Sequence, residues 1–312
     1  MTAEQSATTG DEGAERAAAA GIAAAERDAR RRPDDVRPTR LGWVREAAIV
    51  LGFYYVYQTV RSLAAHGNTE PRATHNANWI ITWEKHLWMY HEQRIQDFFL
   101  GAEWFIRAMN IYYGTLHFVI TAGLLIWMYV RRHSFYPAMR NLLGLTTALA
   151  IIGYWSFPLA PPRLHLNCNG DIPVLAPGGL VKPACFVDTL AEIGGLWSYE
   201  SPAAKAVANQ FAAMPSLHFG WSVWCGIVFW RFAAHRTTRA MAVVYPALTL
   251  FAIVVTANHW ILDAAGGAII IIAATLILRV AAARRERGRV SAEPDGAPNS
   301  TDPGLEPTPS AD

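Results

Sequence analysis

The charged residues of this chain are concentrated at its two ends, and this distribution limits what the chain can fold into. Met1–Arg40 and Arg284–Asp312 hold nearly half of the charged residues in under a quarter of the length. Over 312 residues, 52% are hydrophobic and 17% are charged, against roughly 45–50% and about 25% in soluble domains. The middle of the chain cannot supply the polar surface of a soluble enzyme. The sequence therefore predicts a membrane-embedded core with two solvated tails.

Six apolar stretches are long enough to cross a bilayer, whose core of about 30 Å takes about 20 helical residues. They are roughly Val44–Ala64, Gly114–Val130, Leu142–Leu159, Leu217–Ala233, Ala240–Ala257 and Trp260–Ala282. We therefore expect an all-α fold, a polytopic membrane helix bundle of six transmembrane helices over residues 43–283. The flanking tails, 1–42 and 284–312, have the composition of disordered segments, and the first contains no apolar core of a signal peptide.

Arginines in the short connections indicate the orientation of these spans. Arg131, Arg132 and Arg140 lie in the second connection, Arg231, Arg236 and Arg239 in the fourth, and no acidic residue accompanies them. Under the positive-inside rule these connections are cytoplasmic. We expect a multi-pass protein of the cell membrane with both termini in the cytoplasm. The first connection and the third, an outer loop over about 160–215, are then extracytoplasmic.

The two outer connections carry further features. In the first, apolar residues recur at helical spacing between charged ones over about 79–100, which predicts an amphipathic helix lying at the membrane interface. A lid packed on the spans fits the same pattern. In the third, Cys168 and Cys185 could form one disulfide bond, and the sequence leaves this open.

Three polar motifs interrupt the apolar chain, each at the end of a predicted span. Ala160–Arg163 closes the third span, Met214–His218 opens the fourth, and Asn258–Asp263 joins the fifth to the sixth. The orientation inferred from the arginines places all three motifs on the extracytoplasmic face. The motifs did not enter that inference, so their agreement is independent support for a shared site.

His259 and Asp263 are four residues apart, which on a helix places both side chains on one face. A carboxylate that accepts from one ring nitrogen fixes the tautomer and leaves the other nitrogen available as a nucleophile. The same pair could instead close a bend or relay protons in a transporter, although ionisable residues at membrane depth are generally functional.

His218, Ser216 and Arg163 complete a set of groups suited to an anion. Pro215 can start a helix, and the first turn of a helix attracts anions. The Ser216 hydroxyl can donate a hydrogen bond, and the Arg163 guanidinium suits phosphate. Each residue alone has an ordinary structural explanation, but their convergence on one membrane face favours a phosphate site.

These motifs resemble the type 2 phosphatidic acid phosphatase (PAP2) superfamily. Pro215–His218 is similar to its second signature, Pro-Ser-Gly-His, and His259–Asp263 to the end of its third, His-x-x-x-Asp. Three departures stand out: Leu217 replaces the glycine, Ile253 stands where an arginine is expected, and Pro162-Arg163 is the nearest match to the first signature. The departures resemble the inositol phosphorylceramide synthase-like branch.

The resemblance implies a lipid phosphatase or phosphotransferase. His259 would attack phosphorus and form a phosphohistidine, Asp263 would orient it, and His218 would act as general acid. Arg163 and Ser216 would bind the phosphoryl oxygens. The expected partners are a lipid phosphate substrate and membrane lipids, with no nucleic acid, cofactor or metal. The alternatives are inositol-phosphate head-group transfer, a transporter with a His/Asp proton relay, and a silent lipid-binding relative.

Overall fold

The computed structural model describes residues 42–63, 69–165, 186–196 and 210–292. Most of both predicted tails and much of the outer loop, with Cys168 and Cys185, lie outside these ranges. Within them the chain is helical, with one isolated parallel bridge between Leu159 and Ala212. The coarse prediction of an all-α fold is therefore confirmed for the described residues.

The described ranges contain ten α-helices. They are Gly42–Leu63 (α1), Thr69–His86 (α2), Glu92–Leu100 (α3), Glu103–Ile111 (α4), His117–Arg131 (α5), Tyr136–Ser156 (α6), Thr189–Glu192 (α7), Leu217–Phe232 (α8), Arg236–Val255 (α9) and Ile261–Ala292 (α10). A π-helical turn, Tyr112–Leu116, joins α4 to α5, and a 3₁₀ turn, Pro162–Leu164, follows α6. A helix overlaps each of the six predicted spans.

Three helical segments in the described part of the chain are long and apolar enough to cross a membrane. They are Glu103–Arg131, Arg236–Val255 and Ile261–Gly288. The first continues through the π-helical turn and begins eleven residues before the predicted span at Gly114. These segments are compatible with a membrane protein, while the count of six spans stays a prediction.

Helix α8 is the centre of the bundle, packing against α5, α6, α9 and α10. Small residues allow these close approaches. A Cβ atom at Gly226 would lie 2.6 Å from the Ala242 carbonyl oxygen of α9, and one at Gly267 would lie 2.4 Å from the Ser216 carbonyl oxygen. Trp224 is fully buried in this core, and its indole N–H donates to the Met139 carbonyl of α6 at 2.9 Å. The helices around α8 are thereby fixed relative to one another.

The amphipathic helix expected over about 79–100 is two helices, α2 and α3, separated by a turn. Trp88 has φ +57°, a left-handed conformation that ends α2, and the Met89 N–H donates back to the Glu84 carbonyl at 2.8 Å, as in helix C-caps. Ile80 and Ile81 of α2 are buried, whereas Trp79 is 55% exposed. Helix α2 thus packs on the bundle with one face, as the lid alternative expects, and presents tryptophan on the other.

Candidate active site

A cavity of about 260 Å³ lies among the ends of the helices that carry the three polar motifs. Arg163, His218, Asn258 and His259 line it, together with four tyrosines, Tyr54, Tyr57, Tyr113 and Tyr154. Motifs that are 40 residues or more apart in the chain therefore meet at one cavity. The convergence of both histidines and the arginine, which the sequence predicted, is observed; their chemical roles stay predictions.

His218 lies in the first turn of α8, whose start is held in place on both sides. Ser216 is the N-cap residue, and its hydroxyl oxygen accepts from the Phe219 N–H at 3.3 Å. The Ser216 N–H in turn donates to the Asp263 carbonyl of α10 at 2.9 Å. The imidazole of His218 stacks on Tyr113, with ring centroids 4.1 Å apart. Its position is thus fixed by a cap, by α10 and by an aromatic face.

His259 and Asp263 form the predicted pair. Nδ1 of His259 lies 3.2 Å from Oδ2 of Asp263, and both residues are buried. The same Asp263 oxygen accepts from the Trp260 N–H at 3.0 Å. With Nδ1 engaged, Nε2 is the nitrogen of His259 that remains for the cavity. The ring centroids of His259 and His218 are 5.7 Å apart.

A tight turn between α9 and α10 presents His259 to the cavity. Ala257 has φ +53°, a left-handed conformation that costs a non-glycine residue about 1–2 kcal/mol. The Ile253 carbonyl accepts from the N–H groups of both Asn258 and His259, at 2.9 and 3.2 Å. Strained backbone of this kind is common where a catalytic side chain must be aimed.

Arg163 is held by polar groups from two separate segments. Its Nε donates to Oδ1 of Asn258 at 3.1 Å, and its Nη1 donates to Oδ2 of Asp188 at 2.7 Å. The Arg163 backbone N–H donates to the Ala257 carbonyl at 2.9 Å. No hydrogen bond to a described residue is made by Nη2. The guanidinium is therefore oriented along one edge, and it is the only permanent cation among the described residues that line the cavity.

The π-helical turn Tyr112–Leu116 supplies part of the aromatic wall of the cavity. A π-helical turn within an α-helix is rare and frequent at functional sites. Here it carries Tyr113 and Gly114, which line the cavity, and leads into His117. The ring of His117 is fully buried, 5.1 Å from that of His218, and its Nδ1 is hydrogen-bonded to the Tyr245 hydroxyl at 3.0 Å. His117 is a third imidazole at the site.

Two positions that the resemblance assigns to phosphate binding, Ser216 and Ile253, are buried outside the described lining of the cavity. Ser216, the expected hydroxyl donor, is fully buried as the cap of α8, and the described lining of the cavity does not include it. Ile253, at the position of the expected arginine, is fully buried among apolar residues that include Val254 and Ala264. An arginine at that position would occupy apolar packing instead of the cavity wall.

Sequence reasoning missed the acidic residues that hold the site together. Asp188 pairs with Arg163 and also caps α7, accepting from the Leu190 N–H at 3.1 Å. The amphipathic pattern over about 79–100 counts Glu84 and Glu92 among the charged residues of an interfacial helix, but both are completely buried. One signal was present: Glu84 lies on the same helical face as the small and apolar residues Ala73, Ala77 and Ile80.

Comparison with known proteins supports the resemblance. The sequence profile of the PAP2 superfamily matches residues 78–277. Neither the curated proteins nor the solved structures include a significant match. Since the profile spans well over half of the chain and takes in both histidine motifs, the chain belongs to the PAP2 superfamily.

Proposed function

We propose that this protein is a membrane phosphatase or phosphotransferase that acts on a lipid phosphate, diphosphate or phosphodiester through a phosphohistidine on His259. The observation that carries the proposal is the meeting of His218, His259 and Arg163 at one cavity. Members of the PAP2 superfamily are typically phosphatases or phosphotransferases. Both the family and the local geometry therefore support phosphoryl transfer.

The geometry suggests a role for each group. His259, backed by Asp263, would attack phosphorus through Nε2 and form a P–N bond as the bond to the leaving oxygen breaks. His218, whose ring centroid lies 5.7 Å from that of His259, would donate its proton to that oxygen. Arg163 would bind the equatorial oxygens, where negative charge accumulates. Water, or the hydroxyl of an acceptor, would then attack phosphorus and release His259.

An apolar groove next to the site supports a lipid substrate. It has a volume of about 480 Å³ between α1 and α6, and its lining is mainly apolar, with Ile49, Phe53, Leu143 and Gly144 among its residues. Tyr54, Tyr57 and Trp221 line both the groove and the cavity. A phosphate bound near His259 would therefore lie next to a surface suited to a hydrocarbon chain.

The positions of the helix ends support six spans and an extracytoplasmic site. The end of α6, the start of α8 and the α9–α10 turn meet at the cavity. Arg140, by contrast, lies near the start of α6 and pairs with Glu46 near the start of α1. Under the positive-inside rule the arginine end is cytoplasmic, so the cavity opens on the opposite side. A proton-relay transporter would instead place polar residues near the midplane of broken helices.

Head-group transfer, as in the inositol phosphorylceramide synthase-like branch, is a second candidate. Leu217 and Ile253 depart from the phosphatase pattern in the direction of that branch. The cavity lining also carries the amides of Gln58, Gln210 and Asn258 beside its four tyrosines, and such groups suit a polyol acceptor.

The experiment is a panel of lipid phosphates assayed with purified wild type and His259→Ala, with and without inositol and other alcohols. Phosphate released without an acceptor identifies a hydrolase. Product formed only with an acceptor identifies a transferase. Turnover by His259→Ala at the wild-type rate would contradict both.

A further inference from the structure

We propose that Glu84 and Glu92 form a carboxyl pair that shares one proton and positions the His259–Asp263 unit from behind. The pair lies outside the lining of the cavity, so its role would be to position the reacting groups rather than to touch substrate. This inference rests on the proposed function in taking His259 as the nucleophile. Its geometry is independent of the substrate.

The two glutamates cap the first turn of α10. Oε1 of Glu84 accepts from the Leu262 N–H at 2.8 Å, and Oε1 of Glu92 accepts from the Ile261 N–H at 2.9 Å. The N–H groups at the start of a helix have no acceptor within the helix. Two adjacent N–H groups of α10 are therefore bound by side chains from α2 and α3, which are separated from them by more than 160 positions in the chain.

The remaining oxygens of the pair require a proton. Glu84 and Glu92 are both 0% exposed, and Oε2 of each is buried and accepts no hydrogen bond from a donor in the described part of the chain. Because their Oε1 atoms accept from the neighbouring N–H groups of Ile261 and Leu262, the two carboxyl groups lie side by side. Two adjacent buried carboxylates cannot both ionise, whereas one proton between them satisfies both Oε2 atoms. Burial, followed by the hydrogen bond and charge of Glu92, raises the pKa of Glu84 well above its ordinary value.

A single proton also suits the charge of the surroundings. With one proton the pair carries one negative charge, and the positive end of the α10 dipole stabilises that charge. Loss of that proton would place a second charge beside the Asp263 carboxylate. Asp263 directly follows the two capped positions, and His259 directly precedes Trp260, so a shift of this turn would move both members of the catalytic pair.

Other titratable groups face the pair and must be distinguished from it. Tyr90, in the turn between α2 and α3, stacks against Trp260, with Lys85 5.2 Å above its ring. Burial and the charges of Glu92 and Glu84 raise the pKa of Tyr90 to about 12. Asp263 faces the pair from α10 and holds His259. A substitution at Glu84 removes its carboxyl group and leaves these other groups in place. The effect of the Glu84 proton can therefore be distinguished from theirs.

The first test is the melting temperature of the purified full-length protein in detergent as a function of pH. A carboxyl whose pKa is raised in the folded state stabilises the fold fully below the unfolded value of 4.5, and this stabilisation is lost as pH rises towards the folded pKa. Glu84→Gln has no proton to lose and keeps a donor for Glu92. The melting temperature of Glu84→Gln relative to wild type should therefore rise with pH. If the melting temperatures of the two proteins change in parallel with pH, the proposal of a shared proton is overturned.

The second test compares turnover of Glu84→Gln and Glu84→Ala on the lipid phosphate that the panel identifies. Glu84→Gln should retain kcat near that of wild type. Glu84→Ala leaves the Leu262 N–H without its acceptor, and displacement of the reacting groups should lower kcat by about 10²-fold with little change in KM. Equal kcat values for the two variants would overturn the positioning role. Glu70→Gln, an exposed acid in the same helix, is the matched control and should change nothing.

Infrared spectroscopy gives a readout that needs neither activity nor an alanine variant. At neutral pH, the C=O stretching band of a protonated carboxyl should be present in wild type and lost in Glu84→Gln, and its persistence would overturn the proposal. If no lipid phosphate is turned over, the proposed function fails, while the infrared and melting experiments still decide the state of the pair.

Discussion

At the scale of single residues, the site brings two imidazoles together in different surroundings. His259 is held by a buried carboxylate and has Nε2 available, as a nucleophile requires. His218 lies in the first turn of α8, and its ring stacks on that of Tyr113. The proposed role of His259 as nucleophile rests on its contact with Asp263.

The role of His218 predicts a dependence on the leaving group. His218→Ala should lower kcat on a lipid phosphate by about 10²–10⁴-fold, the usual contribution of a general acid. The kcat on a nitrophenyl phosphate, whose leaving group departs without protonation, should fall far less. The wild-type pH profile should be bell-shaped, with one limb removed by each histidine variant. His86→Ala, an exposed histidine of α2, should behave as wild type, and equal losses on both substrates would argue against the acid role.

The contact between Arg163 and Asp188 predicts an effect on substrate binding. Asp188→Ala removes a charge-assisted hydrogen bond of 2.7 Å from Nη1, and a bond of this type is worth about 1.5–3 kcal/mol. We expect kcat/KM to fall by at least about tenfold because the guanidinium loses its orientation. The control is Asp97→Ala, an exposed acid of α3. An unchanged kcat/KM in Asp188→Ala would show that Asp188 has no role in substrate binding.

The residues of the site were only partly predictable from sequence. His218, His259 and Arg163 belong to short motifs at span ends, and helix direction alone brings such ends together. Asp188 lies in an irregular loop without periodicity, so nothing in the sequence indicates its partner. Glu84 shares a helical face with Ala77 and Ile80, but the contacts that bury Glu84 and Glu92 come from α10, which is distant in sequence.

At the scale of helices, the site depends on a close contact between α8 and α10. Gly267 lies against the Ser216 carbonyl, and Gly266 lies against Pro215. These two glycines allow the backbone around Ser216 to approach α10 closely. The start of α8, which carries His218, can approach Asp263 only because this position lacks a side chain.

Substitution at Gly267 should therefore displace His218. A Cβ in Gly267→Ala would lie 2.4 Å from a backbone oxygen, which cannot rotate away, so we expect a loss of about 1–3 kcal/mol in stability and a marked fall in kcat. The matched control is Gly288→Ala, in the same helix, where a Cβ meets nothing within 4 Å. Thermal unfolding and turnover of both variants check this, and an active, stable Gly267→Ala would contradict it.

Helix boundaries were predicted less well than helix existence. Apolar length marks where a helix crosses the bilayer, but it does not mark where the helix continues beyond it. Glu103–Arg131 extends past the predicted span because a π-helical turn joins an amphipathic segment to an apolar one. The break at Trp88 follows from a left-handed residue, and tryptophan gives no sequence signal for that conformation.

At the scale of the whole molecule, charge and polarity are segregated along the helix axes. The cavity with its histidines lies at one end of α6, α8 and α10, and arginines such as Arg140 lie at the other. The apolar groove between α1 and α6 connects these two regions on one side of the bundle. This arrangement suits a substrate with a phosphate head and a hydrocarbon chain.

The groove predicts selectivity for chain length. In Gly144→Phe the new side chain enters the groove, and a Cβ there meets nothing within 4 Å. Displacing two methylene groups, at about 0.8 kcal/mol each, should raise KM for a long-chain lipid phosphate by about tenfold. A short-chain phosphate should be unaffected. Gly123→Phe, an exposed and open position on α5, is the control, and equal KM values on the long-chain substrate would contradict the assignment of the groove.

The covalent role of His259 is tested most directly by trapping the phosphoenzyme. Purified wild type is mixed with a lipid phosphate labelled at phosphorus and quenched at alkaline pH, where phosphohistidine survives, before the modified peptide is sequenced. The account predicts label on His259 in wild type and none in His259→Ala. Label on another residue, or full turnover by His259→Ala, would contradict it.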